Sequence, residues 1–234
     1  EKNSTYKPGI YDTSQSANFP YRVAEKMFMN KSYVDTVYKR ILDSPISDKH
    51  QYKYSDLGYY LMQKIIESEV SMPLNDYVQK NFYRPLGLST MGYRPREHFE
   101  LNRIVPTEND TKFRKQLVQG DVHDYGAAML GGVAGHAGVF SNANDLAVLM
   151  QMYMQKGEYG GRRYIDSTTI NEFTKCQYCI NDNRRGVGFD RPEMNTDKDN
   201  PVCDCASFLS FGHSGFTGTV AWADPQKQLV YVFL

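Results

Sequence analysis

The sequence predicts an α+β fold, with a mainly helical region at residues 1–180 and antiparallel strands at 181–234. Three observations carry this. Apolar residues spaced by three and four recur through the first part of the chain. The last third changes to runs rich in β-branched and aromatic residues, at 210–223 and 228–234. Between those runs stands Asp224-Pro225-Gln226-Lys227, a turn in which proline's fixed φ fits. Helices first and a hairpin last argue for helices packed on or beside an antiparallel sheet.

Taken in order, residues 23–29 and 33–42 predict short helices, the second with Val34, Val37, Tyr38 and Ile41 at helical spacing. A clearer helix is predicted over 55–69. Leu57, Leu61 and Ile65 form its stripe, Tyr60 borders it, and Ser55 or Asp56 is placed to cap its amides. Residues 75–82 form another short helix, closed by Pro85-Leu86-Gly87. Residues 93–120 read as loop. A helix capped by Ser141 or Asn144 follows, with Leu146, Leu149, Met150, Tyr153 and Met154 as its apolar face. Gly157 to Gly161 ends it, and 167–176 is a further short helix.

At 234 residues the chain suits one large domain or two small ones. Its 41% hydrophobic and 23% charged residues suit a globular protein, and 27 basic against 27 acidic side chains leave no footprint for nucleic acid or an anionic membrane. No apolar run approaches the ~18 residues that would span a bilayer. The polar opening, Glu1 to Gly9, lacks the apolar stretch of a signal peptide. With an apolar run closing the chain at 229–234, the sequence reads as a piece of something longer, incomplete at both ends.

Several features invite a chemical reading. The Gly-rich stretch 131–138 lacks the Lys-Ser/Thr of a P-loop, and no strand precedes it, so a tight turn bringing backbone against backbone is the better reading. Cys176, Cys179, Cys203 and Cys205 form C-x2-C and C-x-C pairs. Zinc, disulfides and unpaired small hydrophobes all remain open for them. The five histidines show no H-E-x-x-H and no i, i+4 pair, which argues against a histidine metal site. His123, His136 and His213 sit beside glycines or turns, where functional loops lie. Two short motifs stand out. Tyr54-Ser55-Asp56 lies at the mouth of the 55–69 helix. His213-Ser214-Gly215 is placed inside the first strand of the hairpin, where glycine weakens a strand unless something must approach closely.

These motifs, in this order, resemble the serine β-lactamase and penicillin-binding protein superfamily, particularly its class C-like branch of esterases and peptidases. Residues 54–61, Tyr-Ser-Asp-Leu-Gly-Tyr-Tyr-Leu, are similar to its Tyr-x-Asn motif and following helix. Residues 82–88, Phe-Tyr-Arg-Pro-Leu-Gly-Leu, resemble its PLGM element, and 135–147 its Gly-x-x-Ser-Thr-x-x-Asp-Leu-Ala element. Residues 211–219, Phe-Gly-His-Ser-Gly-Phe-Thr-Gly-Thr, resemble the third motif, Lys-Thr-Gly or His-x-Gly. The likeness is nearest to β-lactamase-like domains of Bacteroides-type bacteria, sometimes fused to a β-N-acetylhexosaminidase.

The resemblance implies a β-lactamase/transpeptidase-like fold and no cofactor. It also implies periplasmic or secreted work on peptidoglycan-derived or small amide and ester substrates, muropeptides among them. In the family an acyl-enzyme forms on the serine of a Ser-x-x-Lys motif. The only such pattern here, Ser4-Thr5-Tyr6-Lys7, has no helical pattern and Pro8 directly after it. It reads as a chance match, and the chain by itself is expected to be inactive. By resemblance Tyr54 is the proton-transfer residue, Asp56 replaces the usual Asn, and His213 takes the place of the third-motif Lys. Ser214 and Gly215 line the substrate, and the backbone N–H of Phe216 supplies half of an oxyanion hole. The phenol and the imidazole are expected to share one pocket. An unperturbed tyrosine titrates near ~10 and an unperturbed histidine near ~6.5, so Tyr54 is expected to relay a proton while the first-motif Lys acts as base. The rival reading is a non-catalytic module of the same fold that binds muropeptides or a partner.

Overall fold

The computed structural model describes residues 6–46, 52–181, 183–195 and 197–234. The chain divides into two compact units, Glu1–Val78 with Gly92–Phe140, and Gln79–Met91 with Ser141–Leu234.

In the first unit, strands β1 (Tyr11–Asp12), β2 (Tyr21–Ala24) and β3 (Met27–Met29) form an antiparallel sheet with β3 in the middle. The helix expected at 23–29 is therefore a hairpin. Glu25 and Lys26 make its two-residue turn, with Lys26 in the left-handed region at φ 51°. Reversal through two charged residues leaves Val23 and Met27 four apart, a spacing that imitates a helix face. All four of Val23, Ala24, Met27 and Met29 are buried. Helix α1 (Tyr33–Leu42) forms as predicted, and Val34, Val37, Tyr38 and Ile41 pack on this core.

Helix α2 (Leu57–Val70) also forms, but on a different face. Its buried residues are Tyr60 and Gln63, whereas Leu57 and Ile65 are 42% and 51% exposed. The Gly-rich segment explains the rotation. A Cβ on Gly135 would lie 2.4 Å from the Tyr59 carbonyl oxygen, so backbone meets backbone there. The Gln63 amide then donates to the Val133 carbonyl, which an apolar side chain would leave unsatisfied. The same segment folds on itself at Gly138, whose φ is 116° and whose added Cβ would sit 2.4 Å from the Gly132 oxygen. The tight-turn reading of 131–138 holds.

Helix α3 (Leu74–Val78) covers only the start of the helix expected at 75–82; Gln79–Tyr83 is a π-helical turn. Residues 93–120, expected to be loop, contain two 3-10 turns and an antiparallel hairpin of β4 (Pro106–Asp110) and β5 (Gln116–Gln119). β4 is polar and β5 holds two adjacent apolar residues, Leu117 and Val118, so neither strand alternates. What closes the hairpin is Asp110, whose carboxylate accepts the amides of Lys112, Phe113 and Arg114 and the Arg114 Nε at 2.8–2.9 Å. The Arg114 guanidinium, wholly buried, also donates to the carbonyls of Val122 and His123 and to Glu108. Helix α4 (Tyr125–Met129) follows, capped by Asp124, which accepts from the Ala127 amide at 2.7 Å.

In the second unit, helix α5 (Ala143–Met154) is capped by Asn142, which accepts from the Asp145 amide at 2.8 Å, rather than by Ser141 or Asn144. Strands β6 (Glu158–Tyr159) and β7 (Arg162–Arg163) pair after it, and α6 (Ser167–Thr174) starts on an Asp166 cap. The strand expected over 210–223 is two strands. β8 (Phe211–Ser214) reverses through a turn in which the Gly215 amide donates to the Thr219 carbonyl, then continues as β9 (Val220–Asp224). β10 (Leu229–Phe233) completes an antiparallel sheet in the order β10-β9-β8. The turn predicted at 224–227 is present, its amides at Gln226 and Lys227 held by the Asp224 carboxylate. Helix α5 packs on this sheet. Met150, Phe211 and Ala223 are buried there, flanked by Leu146, Tyr153, Met154 and Phe189. Among the described residues no helix is long and apolar enough to cross a membrane.

Candidate active site

The candidate residues divide between the units, Tyr54 and Asp56 in the first and His213 to Phe216 in the second. Tyr54 lies in coil three residues before α2 and is 57% exposed. Asp56 takes the N-cap position without a side-chain cap; Ser55 instead accepts from the Leu57 amide at 3.3 Å. One turn into the helix, Tyr60 is stacked on His136 with ring centroids 4.3 Å apart. Burial, then the negative charges of Asp124 and Asp56, push the Tyr60 phenol well above its ordinary value, so it stays protonated.

In the second unit, His213 lies on β8 opposite Ala221, and Ser214, opposite Val220, ends the strand. Gly215 is thus outside the strand that was expected to contain it. A Cβ there would meet the Thr219 hydroxyl at 2.3 Å, so the glycine serves the reversal between β8 and β9. Phe216, 89% exposed, stands on that turn.

A residue that the sequence did not point to joins this group. Asp190 exchanges two backbone hydrogen bonds with Gly212, laying the preceding turn beside β8. The turn is closed by the Gly186 amide on the Phe189 carbonyl, and Gly186 has no room for a side chain, since its Cβ would lie 2.4 Å from the Phe173 oxygen. Arg185 is thereby carried to His213, its Nη1 2.9 Å from Nε2. The Asp190 carboxylate binds Arg184 through both oxygens and reaches Arg185 Nη2 at 3.4 Å. Nothing in the local sequence relates Arg185 to a histidine 28 positions on.

The other candidates resolve into structural roles. His136 Nε2 lies 2.8 Å from Asp124 Oδ1, its side chain 3% exposed. Burial acts to raise the Asp124 pKa, but the His136 and Ala127 hydrogen bonds outweigh it and the net direction is downward. His123 lies 3.3 Å from Glu108 beside the Arg114 network. The four cysteines are joined as Cys176–Cys179 and Cys203–Cys205, the disulfide reading among those left open for them. Among the described residues no group of three or more side chains could hold a metal ion. Ser4 and Thr5 lie outside the described residues, and Lys7 is in coil with no helix following.

The Beta-lactamase family model matches residues 11–234. The chain belongs to the Beta-lactamase family. Family relatives include proteins provisionally named D-alanyl-D-alanine carboxypeptidase. The one from Salmonella enteritidis PT4 is 34% identical over 226 residues, covering 91% of this chain and 51% of the relative. The one from Escherichia coli K12 is 33% identical over 241 residues, covering 94% and 54%. The chain therefore spans about half the length of these family members. The fold is shared with a penicillin-binding protein homologue from Pyrococcus abyssi, at TM-score 0.54 and 19% identity over 80% of this chain and 39% of that one. It is shared too with a penicillin-binding protein homologue from Caulobacter crescentus, at TM-score 0.53 and 20% identity over 84% and 57%.

Proposed function

We propose that the chain is part of a serine hydrolase that works through an acyl-enzyme on peptidoglycan-derived amides or on small esters, outside the cytoplasm. The observation that carries this is the match of the family across residues 11–234, with the Tyr54 and His213 motifs in their expected order. The relatives' D-alanyl-D-alanine carboxypeptidase name supports a D-alanyl amide as substrate. In this reading a serine oxygen attacks the amide carbonyl and gives its proton to the lysine of its own Ser-x-x-Lys. The oxyanion that forms is met by the Phe216 N–H. Tyr54 passes a proton to the departing amine, and water then hydrolyses the ester. Asp56 contacts the substrate amide or the lysine, while His213, Ser214 and Gly215 border the substrate.

The nucleophile in this reading is not Ser4, so the chain by itself forms no acyl-enzyme. Hydrolysis of an N-acyl-D-alanyl-D-alanine peptide by the longer protein tests the roles. Tyr54→Phe is expected to lower kcat by roughly 10²–10⁴-fold, the usual worth of a positioned proton-transfer group. A variant that turned over at the wild-type rate would remove Tyr54 from the mechanism.

A further inference from the structure

We propose that Arg185 is a positioning residue that holds His213 as the neutral Nδ1–H tautomer. Two contacts of the imidazole each call for that form. A guanidinium has only donors, so Arg185 Nη1, 2.9 Å from His213 Nε2, requires a lone pair on Nε2. A carbonyl oxygen only accepts, so the Ser214 oxygen, 2.7 Å from Nδ1, requires the proton there. Doubly protonated imidazolium would set two donors head to head at Nε2, and the Nε2–H tautomer would do the same while leaving Nδ1 facing an acceptor.

The arrangement that delivers Arg185 is built from fixed parts. Asp190, buried and paired by its backbone to Gly212, accepts both Arg184 and Arg185 through its side chain. The guanidinium is thus anchored through Nη2 while its Nη1 meets the ring. Arg185 also places a permanent positive charge beside His213, where the family's lysine would carry its own. Only the catalytic meaning of this rests on the function proposed above; the tautomer does not.

A long-range proton–nitrogen correlation spectrum of the ¹⁵N-labelled 234-residue chain, near neutral pH, reads the tautomer directly, with His213 assigned through His213→Gln. The wild type is expected to show Nδ1 protonated and Nε2 bare. Arg185→Met should raise the Nε2–H share severalfold, whereas Arg185→Lys, which keeps a cationic donor, should stay nearer the wild type. Fluorescence of Trp222 checks that each variant retains the β8–β9 pairing. A wild-type Nε2–H pattern, or a ratio unchanged in folded Arg185→Met, would overturn the proposal. Because no substrate is involved, that outcome leaves the Tyr54 kinetics untouched, and a failed kinetic test leaves the tautomer standing.

Discussion

Replacing Asp110 with alanine is expected to destabilise the first unit by about 3–5 kcal/mol, the range for breaking a buried ion pair by removing one partner. The Asp110 and Arg114 side chains are both 0% exposed, and the guanidinium would stay behind without its carboxylate. Three backbone amides lose their acceptor as well, those of Lys112, Phe113 and Arg114. Against a total of about 5–15 kcal/mol for a typical domain this is a large share. Urea unfolding measures it, and a loss below about 0.5 kcal/mol, the size of an ordinary surface substitution, would show that the β4–β5 hairpin is held by something else. The pair also sets a pH dependence. Burial alone would raise the Asp110 pKa, but the amides of Arg114 and Phe113 and then the Arg114 side chain outweigh it, holding the carboxyl far below its ordinary value. A group depressed on folding stabilises above its unfolded pKa of ~3.9 and loses that contribution as pH falls toward its folded value. Acid titration of stability below about pH 4 should therefore be steeper in the wild type than in Asp110→Asn.

Gly212→Val is expected to cost about 3 kcal/mol, the upper part of the range for over-packing, and to part β8 from β9. An added Cβ would lie 2.2 Å from the Ala221 carbonyl oxygen and 2.6 Å from the Trp222 ring. Neither neighbour has an easy escape. The carbonyl belongs to the adjoining strand, and the indole is buried at 7% exposure. Trp222 is the single tryptophan of the chain, so its emission reports the site without interference. A red-shifted emission and a lowered unfolding midpoint are expected. Unchanged emission with wild-type stability would mean that the strand pair tolerates a side chain at 212.

What the sequence made legible follows the physics of each element. Helix α5 and the β9–β10 pair were readable because an apolar face and an aromatic, β-branched strand pair must bury each other, and Met150 on the helix, Ala223 on β9 and Val230 on β10 do so, joined by Phe211 of β8. Helix α2 was readable by position but not by face. The Gly-rich segment demands a polar partner for its Val133 carbonyl, so Gln63 is buried while Ile65 is not. The β2–β3 hairpin was misread because two charged turn residues set its apolar residues at helical spacing. The β4–β5 hairpin was invisible because a buried carboxylate and guanidinium hold it. On the candidate site, Tyr54 and His213 were singled out through motif likeness. Arg185 was not, since its meeting with His213 depends on the pairing of Asp190 with Gly212, which local sequence does not encode.

The functional account is tested most directly by a fluorescent β-lactam that acylates active serines. The prediction is that the 234-residue chain takes up no label, while the longer protein is labelled on the serine of a helix-borne Ser-x-x-Lys other than Ser4. Covalent labelling of the chain by itself, abolished by Ser4→Ala, would contradict it.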